Sequence, residues 1–405
     1  MKIWDDRMEY AVQTKMISAA ALNKKQDYFM KIVAISASQV PSSAANSLQA
    51  LKAVHALAQI GHDVTLIVPV TDQPHSSWED IAAFYGLQVE FKVEYLPSAS
   101  RRLFFLSAVR RAKSLKPDLL YAWPLQSAVL GLMNGLPVVL EMHDLPSGRI
   151  GPLWFRYFRD FKGRKRMTVI TKALREALTE RYGGFLRNSD VILAPNGVEA
   201  ERFENLPMPA QARQILGLYE APTVVCTGHL YAGRGMELFV ELARSSKLEG
   251  VRFVWAGGKP EDVELWRSKT KAVPNVKFAG FVPNAQLPLY QAAADVLLMP
   301  YSHEIGISSG MGHSAQVSSP MKMFEYLATG RAILASDLPV FHEVLNETNA
   351  VFCPAENFQA WQDALQALLF DDPAHRDALA QQAVLDAQKY LWTERAKRIL
   401  EGFVG

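Results

Sequence analysis

Two doubly wound α/β domains facing each other across a cleft are what this sequence predicts, on three observations. From residue 30 onward, short apolar runs alternate with amphipathic stretches, the pattern of mainly parallel sheets with helices on both faces. The rhythm breaks once, after Asn196-Gly197, in a stretch holding Pro207 and Pro209, and then starts again. At 405 residues the chain also exceeds what one hydrophobic core ordinarily serves.

In the first half, KIVAIS (31–36) reads as the opening strand. A helix from Ala45 to Ile60 follows, stopped by Gly61, and leads to the strand VTLIVPV (64–70). LLYAW (119–123), VVLEM (138–142), TVI (168–170) and VILA (191–194) continue the sheet. Helices are expected near 78–85, 100–114, 126–134, 154–161 and 172–182. The second half offers TVVCTG (223–228), RFVWAGG (252–258), VKFAG (276–280), DVLLMP (295–300), AILAS (332–336) and AVFCP (350–354). The expected divisions are an extension over 1–29 with no assigned role, a first domain over 30–207, a second over 208–385, and a terminal helix within 386–405. Ligands of such sheets bind at strand carboxyl ends, near the point where strand order reverses. Those ends carry Ser36 to Ser43 and Met142-His143-Asp144 in the first half, and Gly228-His229, Gly257-Gly258 and Pro300-Tyr301 in the second.

Composition narrows the function classes. Apolar residues make up 49% of the chain, charged residues 21%, and a net charge of +2 gives no reason to expect nucleic acid as a partner. Cys226 and Cys353 lie in apolar, strand-like runs. They read as small core residues of a reduced, cytoplasmic protein rather than a metal pair or a disulfide. No apolar run approaches the roughly 18 residues that span a bilayer. Residues 1–29 lack the apolar centre of a secretion signal.

The most informative stretch is SSPMKMFEYLATGRAILASDLP, residues 318–339. Ser319 and Pro320 form a helix start signal, a hydroxyl able to cap free N–H groups and a ring suited to the first helical position. Gly330 stops the helix and AILAS is the next strand. Glu325 sits among Met323, Phe324, Tyr326 and Leu327, costly company for a carboxylate unless something polar meets it. The helix N-terminus gathers unpaired N–H groups and positive dipole, which favours a phosphate. A phosphate site with a carboxylate nearby for ribose hydroxyls suits a nucleoside diphosphate. An ordinary capped helix with a solvated Glu325 is the competing reading of these residues.

Taken together, the motifs from Met30 to the C-terminus resemble the retaining glycosyltransferases of family 4, which have the GT-B architecture of two Rossmann-like domains. GHLYAGRG (228–235) stands in the place of the family's G-R-L-x-x-x-K-G element. GFVPNAQLPLYQAAADVLLMP (280–300) is similar to the segment that passes the nucleotide base. SPMKMFEYLATG fits the branch with a Ser-Pro-x-Lys-x-Phe-Glu-Tyr signature, and KYLWTERAKRIL (389–400) resembles the terminal helix that crosses back to the first domain. The resemblance implies that Glu325 holds the ribose and that Arg234 replaces a lysine at the diphosphate, a role its fork retains. Backbone N–H groups of Met321 and Lys322, beside Ser319, face the phosphates on the same reading. His229 stands where the family has arginine, so a phosphate contact and local packing both remain open. The family's first glutamate, eight residues before the second, would fall on Val317. Glu304, counted from Pro300, either takes over that contact to the transferred sugar or is a loop charge. His143 either is a contact to the transferred sugar, as the resemblance implies, or is simply a loop residue at a strand end, with Asp144 orienting it or capping the turn.

The expected activity is therefore transfer of a sugar, with retention, from a nucleotide-diphosphate donor to a hydroxyl of a glycan or lipid-linked acceptor, in polysaccharide, lipopolysaccharide or glycolipid assembly. No cofactor is expected. With no Asp-x-Asp in the chain, metal-independent transfer is expected too. A GT-B epimerase or hydrolase, or a non-catalytic nucleotide-sugar-binding subunit, is the alternative. A nicotinamide dehydrogenase is disfavoured because no G-x-G-x-x-G follows a strand. Residues 101–116 (RRLFFLSAVRRAKSLK) and 153–166 (LWFRYFRDFKGRKR) combine basic with large apolar side chains. They read either as a peripheral anchor on an anionic membrane surface or as ordinary amphipathic helices on a sheet.

Overall fold

Both halves form parallel sheets because their central strands are apolar on both faces, leaving helices as the only cover. The structure is a computed structural model and describes residues 29–70, 76–97, 100–183, 190–303 and 317–403. The first sheet contains β1 (Lys31–Ile35), β2 (Asp63–Pro69), β3 (Lys92–Leu96), β4 (Leu119–Ala122), β5 (Val138–Met142), β6 (Lys165–Val169) and β7 (Val191–Leu193). Its order is β3-β2-β1-β4-β5-β6-β7, all parallel. The second contains β8 (Thr223–Thr227), β9 (Arg252–Ala256), β10 (Val276–Gly280), β11 (Val296–Met299), β12 (Ala332–Ser336) and β13 (Val351–Cys353). It runs β10-β9-β8-β11-β12-β13, again all parallel. Strand order reverses between β1 and β4 in one sheet and between β8 and β11 in the other. These are the two crevices where ligands of such sheets bind.

The edge strand β3 is the element that the apolar runs did not reveal. Its sequence KVEYL carries two charges, and none of its residues is fully buried, because an edge strand shares only one side with the sheet. The expected strand TVI begins earlier, at Lys165-Arg166, where Arg166 is buried. Its guanidinium donates to the carbonyls of Ile399 (2.6 Å) and Glu401 (2.9 Å), so it caps the last helix from the first sheet. That helix, Trp392–Leu400, packs on the first helix, Ala45–Gln59. Just before it, Val198 exchanges backbone hydrogen bonds with Tyr390 and Trp392, at 2.9 and 3.1 Å. A Cβ at Gly197 would meet the Tyr390 carbonyl at 2.6 Å, so this crossing requires glycine.

Candidate active site

Second-sheet residues bring a cluster of cations to the β8/β11 crevice. Gly235 opens the helix Met236–Ala243 at φ 81°, where a Cβ would lie 1.8 Å from the Pro300 carbonyl. The GHLYAGRG loop is thereby pressed against the end of β11. Arg234 donates to the Tyr301 hydroxyl and stacks 4.6 Å over its ring. Lys322, in the first turn of the helix Met321–Thr329, places its ammonium 5.0 Å from the same ring and 3.9 Å from Cys226 Sγ. Lys259 adds a third cation, 5.9 Å from the Tyr231 ring. Among the described residues, none of the three pairs with a carboxylate. Like charges held close without a counter-ion favour an anion between them.

His229 lies in that field without adding to it. Burial, then the charges of Arg234, Lys259 and Lys322, push its pKa below the usual histidine range, so the neutral ring prevails at pH 7. The ring stacks on Tyr231 (5.0 Å, 18°), and Nε2 lies 3.2 Å from the Ser43 carbonyl of the first half.

The helix Met321–Thr329 begins one residue later than its start signal implied. Pro320 is the cap rather than the first helical residue, and no side chain caps the end. Ser319 does not supply the expected cap. It is 4% exposed and turned toward Asn196, whose side-chain amide donates to the Ser319 carbonyl at 2.5 Å. The hinge between the halves thus takes up the serine and leaves the helix N-terminus, with Met321 and Lys322, free of a capping side chain. Val317 is 3% exposed and packs with the first-half core, a place that suits an apolar side chain and not a sugar-binding acid. Glu304 lies outside the described residues.

Glu325 is met by polar groups, as a carboxylate in apolar surroundings must be. Oε1 accepts from Arg202 (3.4 Å) and Asn284 (3.3 Å), and Oε2 from Gln291 (3.1 Å). A carboxylate has about four acceptor positions, so one remains. Arg202 also pairs with Glu199 at 3.2 Å, and Glu199 with Lys52 of the first helix. The alternating chain Lys52, Glu199, Arg202, Glu325 runs from the first half to the second with its charges balanced. Sequence reading singled out Glu325 but none of its three partners, which lie 34 to 123 residues away.

In the first sheet, His143 follows β5 and is 21% exposed. Its Nε2 lies 2.6 Å from Oε1 of Glu141, two residues back on the same strand face. Asp144 instead caps its own turn, accepting from the Leu145 N–H at 2.7 Å. Glu141 was legible in principle, as a carboxylate inside the apolar run VVLEM. The helices Arg101–Ser114 and Gly151–Asp160 turn most of their large apolar residues inward: Phe104, Phe105, Val109, Phe155 and Phe158 are buried. Of those expected to face a membrane, Leu106 and Tyr157 are exposed, joined by Leu103 and Leu153. No described helix is long and apolar enough to cross a membrane. Among the described residues, no group of His, Cys, Asp and Glu comes together as a metal site.

Residues 49–202 match the family described as Glycosyltransferase Family 4, and residues 221–371 match Glycosyl transferases group 1. The chain carries the two domains of a GT-B glycosyltransferase. A phosphatidyl-myo-inositol mannosyltransferase of Mycolicibacterium smegmatis is 23% identical, over 86% of this chain and 87% of its own. Among solved structures, Anabaena HepE in complex with UDP-glucose superposes with a TM-score of 0.69 at 16% identity, covering 92% of this chain and 98% of its own. WaaG, a glycosyltransferase involved in lipopolysaccharide biosynthesis, superposes at 0.62 with 17% identity, covering 92% and 100%. At such identities the structural likeness speaks for the fold. The two matched families divide between residues 202 and 221, so each sheet has its own domain match.

Proposed function

We propose that this glycosyltransferase moves a sugar from a nucleoside-diphosphate donor to a hydroxyl of a glycan or lipid-linked acceptor, with retention and without a metal. The observation that carries the reading is the group Arg234, Lys322 and Lys259, three cations without a carboxylate partner among the described residues, beside an uncapped helix end at the β8/β11 crevice. When the bond between the sugar's anomeric carbon and the phosphate oxygen breaks, the diphosphate gains charge while the sugar becomes oxocarbenium-like. Arg234, Lys322 and the N–H groups of Met321 and Lys322 stabilise that charge, preorganised and away from bulk water. His229 contributes a contact between the halves at Ser43 rather than charge. The remaining acceptor position of Glu325 takes a ribose hydroxyl. A solved neighbour holds UDP-glucose and a curated relative is named for a phosphatidylinositol acceptor, which supports a nucleotide-sugar donor and a glycolipid acceptor here.

The test is direct. A thermal-shift screen of nucleotide sugars selects the donor, and proton NMR of the product made from a lipid-linked acceptor, with and without chelator, reads its anomeric configuration. An inverted product, or loss of activity in chelator that a metal restores, would overturn the corresponding half of the proposal. Free monosaccharide formed without acceptor would favour a hydrolase. His143 serves turnover as a contact to the transferred sugar. His143→Ala is therefore expected to lower kcat about tenfold or more and to leave nucleoside-diphosphate affinity unchanged in calorimetry; wild-type turnover would make it a loop residue.

The acceptor side meets a membrane surface through Leu103, Leu106, Leu153 and Tyr157, exposed beside Arg110 and Arg156. Apolar anchoring with basic neighbours favours anionic lipid and weakens with salt. Vesicles with phosphatidylglycerol should co-sediment the protein at low salt, and Leu106→Asp should reduce that binding. No binding, or equal binding to neutral vesicles, would remove the anionic-surface reading.

A further inference from the structure

A carboxylate in the middle of a buried strand requires an account, and Glu141 has three partners that supply one. Its side chain is fully shielded from solvent. His143 Nε2 lies 2.6 Å from Oε1, Arg395 Nη2 lies 2.9 Å from the same oxygen, and the Tyr121 hydroxyl donates to Oε2. The three arrive from different places: Tyr121 from β4, His143 from the end of β5, and Arg395 from the last helix.

These contacts decide which atom of His143 is available. An ionised carboxylate only accepts, so the ring nitrogen beside it carries hydrogen. Nε2–H therefore donates to Glu141, and Nδ1, which has no partner among the described residues, is the ring's remaining polar atom. Arg395 makes this arrangement compatible with a neutral ring. One buried carboxylate calls for one cation. With Arg395 in place, His143 need not be that cation. Burial on its own would raise the Glu141 pKa, but Arg395 and His143 more than offset it and hold it at about 2. Arg395 is anchored in turn, its Nε donating to the carbonyls of Pro195 (2.8 Å) and Ala194 (3.2 Å).

We propose that Glu141 is a positioning residue that fixes His143 as the Nε2–H tautomer, leaving Nδ1 to accept a hydrogen bond from a hydroxyl of the transferred sugar, and that Arg395 makes this hold depend on the seated last helix. The proposal rests on the reading of His143 given above. The charged and titratable groups facing Glu141 are His143, Arg395 and Tyr121, the last kept protonated because burial and then Glu141 raise its pKa. An ion pair that merely fastened the last helix to the sheet would change stability and nothing else.

The test uses the full chain, with turnover, melting temperature and the ¹⁵N spectrum of histidine-labelled protein as readouts. Wild-type His143 should give an Nε2–H signature with Nδ1 in the acceptor range. Glu141→Gln should lower kcat by at least about tenfold, leave nucleoside-diphosphate affinity unchanged, and add nothing further in a His143→Ala background. Arg395→Met should lower kcat in the wild-type background and add nothing further in a His143→Ala background. A Glu141→Gln loss undiminished in the His143→Ala background, or an unchanged ring spectrum in Glu141→Gln, would overturn this proposal alone. Wild-type turnover in His143→Ala would overturn the reading of His143 and this proposal with it. If Glu141→Gln does not fold, the wild-type spectrum still decides, since Nδ1–H or a doubly protonated ring at pH 7 would refute the assignment.

Discussion

Arg234→Ala is expected to weaken binding of a nucleoside diphosphate roughly tenfold to a hundredfold, because each charge-assisted hydrogen bond contributes about 1.5–3 kcal/mol. Lys322→Ala should have a comparable effect. The two cations share one face-to-face neighbour, Tyr301, which Arg234 overlies at 4.6 Å and Lys322 approaches at 5.0 Å. Their losses should therefore couple rather than add, since side chains with a shared partner readjust together. Calorimetry at two ionic strengths is the measurement, and wild-type affinity should fall as salt rises. Unchanged affinity in both variants, with the fold intact, would mean that the anion binds elsewhere. Arg234→Lys should retain much of the affinity, keeping the charge while losing the fork.

The second large effect concerns stability. Glu199→Ala should cost about 3–5 kcal/mol, the usual penalty for removing one partner of a buried ion pair. Glu199 stands between Lys52 and Arg202, and the Lys52 and Glu199 side chains are each 2% exposed, so Lys52 would be left buried without a carboxylate and Arg202 would keep only Glu325. Urea unfolding would register the loss; a change below about 1 kcal/mol, the scale of an exposed pair, would show that water already screens the chain. pH offers an independent check. Burial, then Arg202, lowers the Lys52 pKa from 10.5 to about 8, against the opposing pull of Glu199. Between those values the unfolded chain binds more protons than the folded one, so this group makes stability rise with pH across that window. Removing Glu199 deepens the depression, so the window should widen toward lower pH in the variant.

Much of the architecture was legible in residue order because parallel sheets impose a local pattern. Strands such as Ala332–Ser336 are buried at every position, so continuous apolar runs mark them wherever they occur. The repeated alternation and the proline-bearing break announced two such sheets, and the positions of Arg234 and Lys322 at strand and helix ends pointed to one crevice. β3 escaped notice because an edge strand keeps charges on its open side.

Sequence alone thus determined most of the buried strands, their division into two halves, and the residue types gathered at the strand ends, since these follow from periodicity and from signals within a few residues of one another. Only tertiary structure decided what those residues meet. Ser319 became a hinge contact to Asn196 rather than a helix cap. Phe104, Phe105, Phe155 and Phe158 became core rather than a membrane face. Glu325 acquired Arg202, 123 residues away, and Glu141 acquired Arg395 from the far end of the chain. The reason is physical: a buried charge must find its counter-charge, and the chain satisfies that demand through space, where separation along the sequence carries no information.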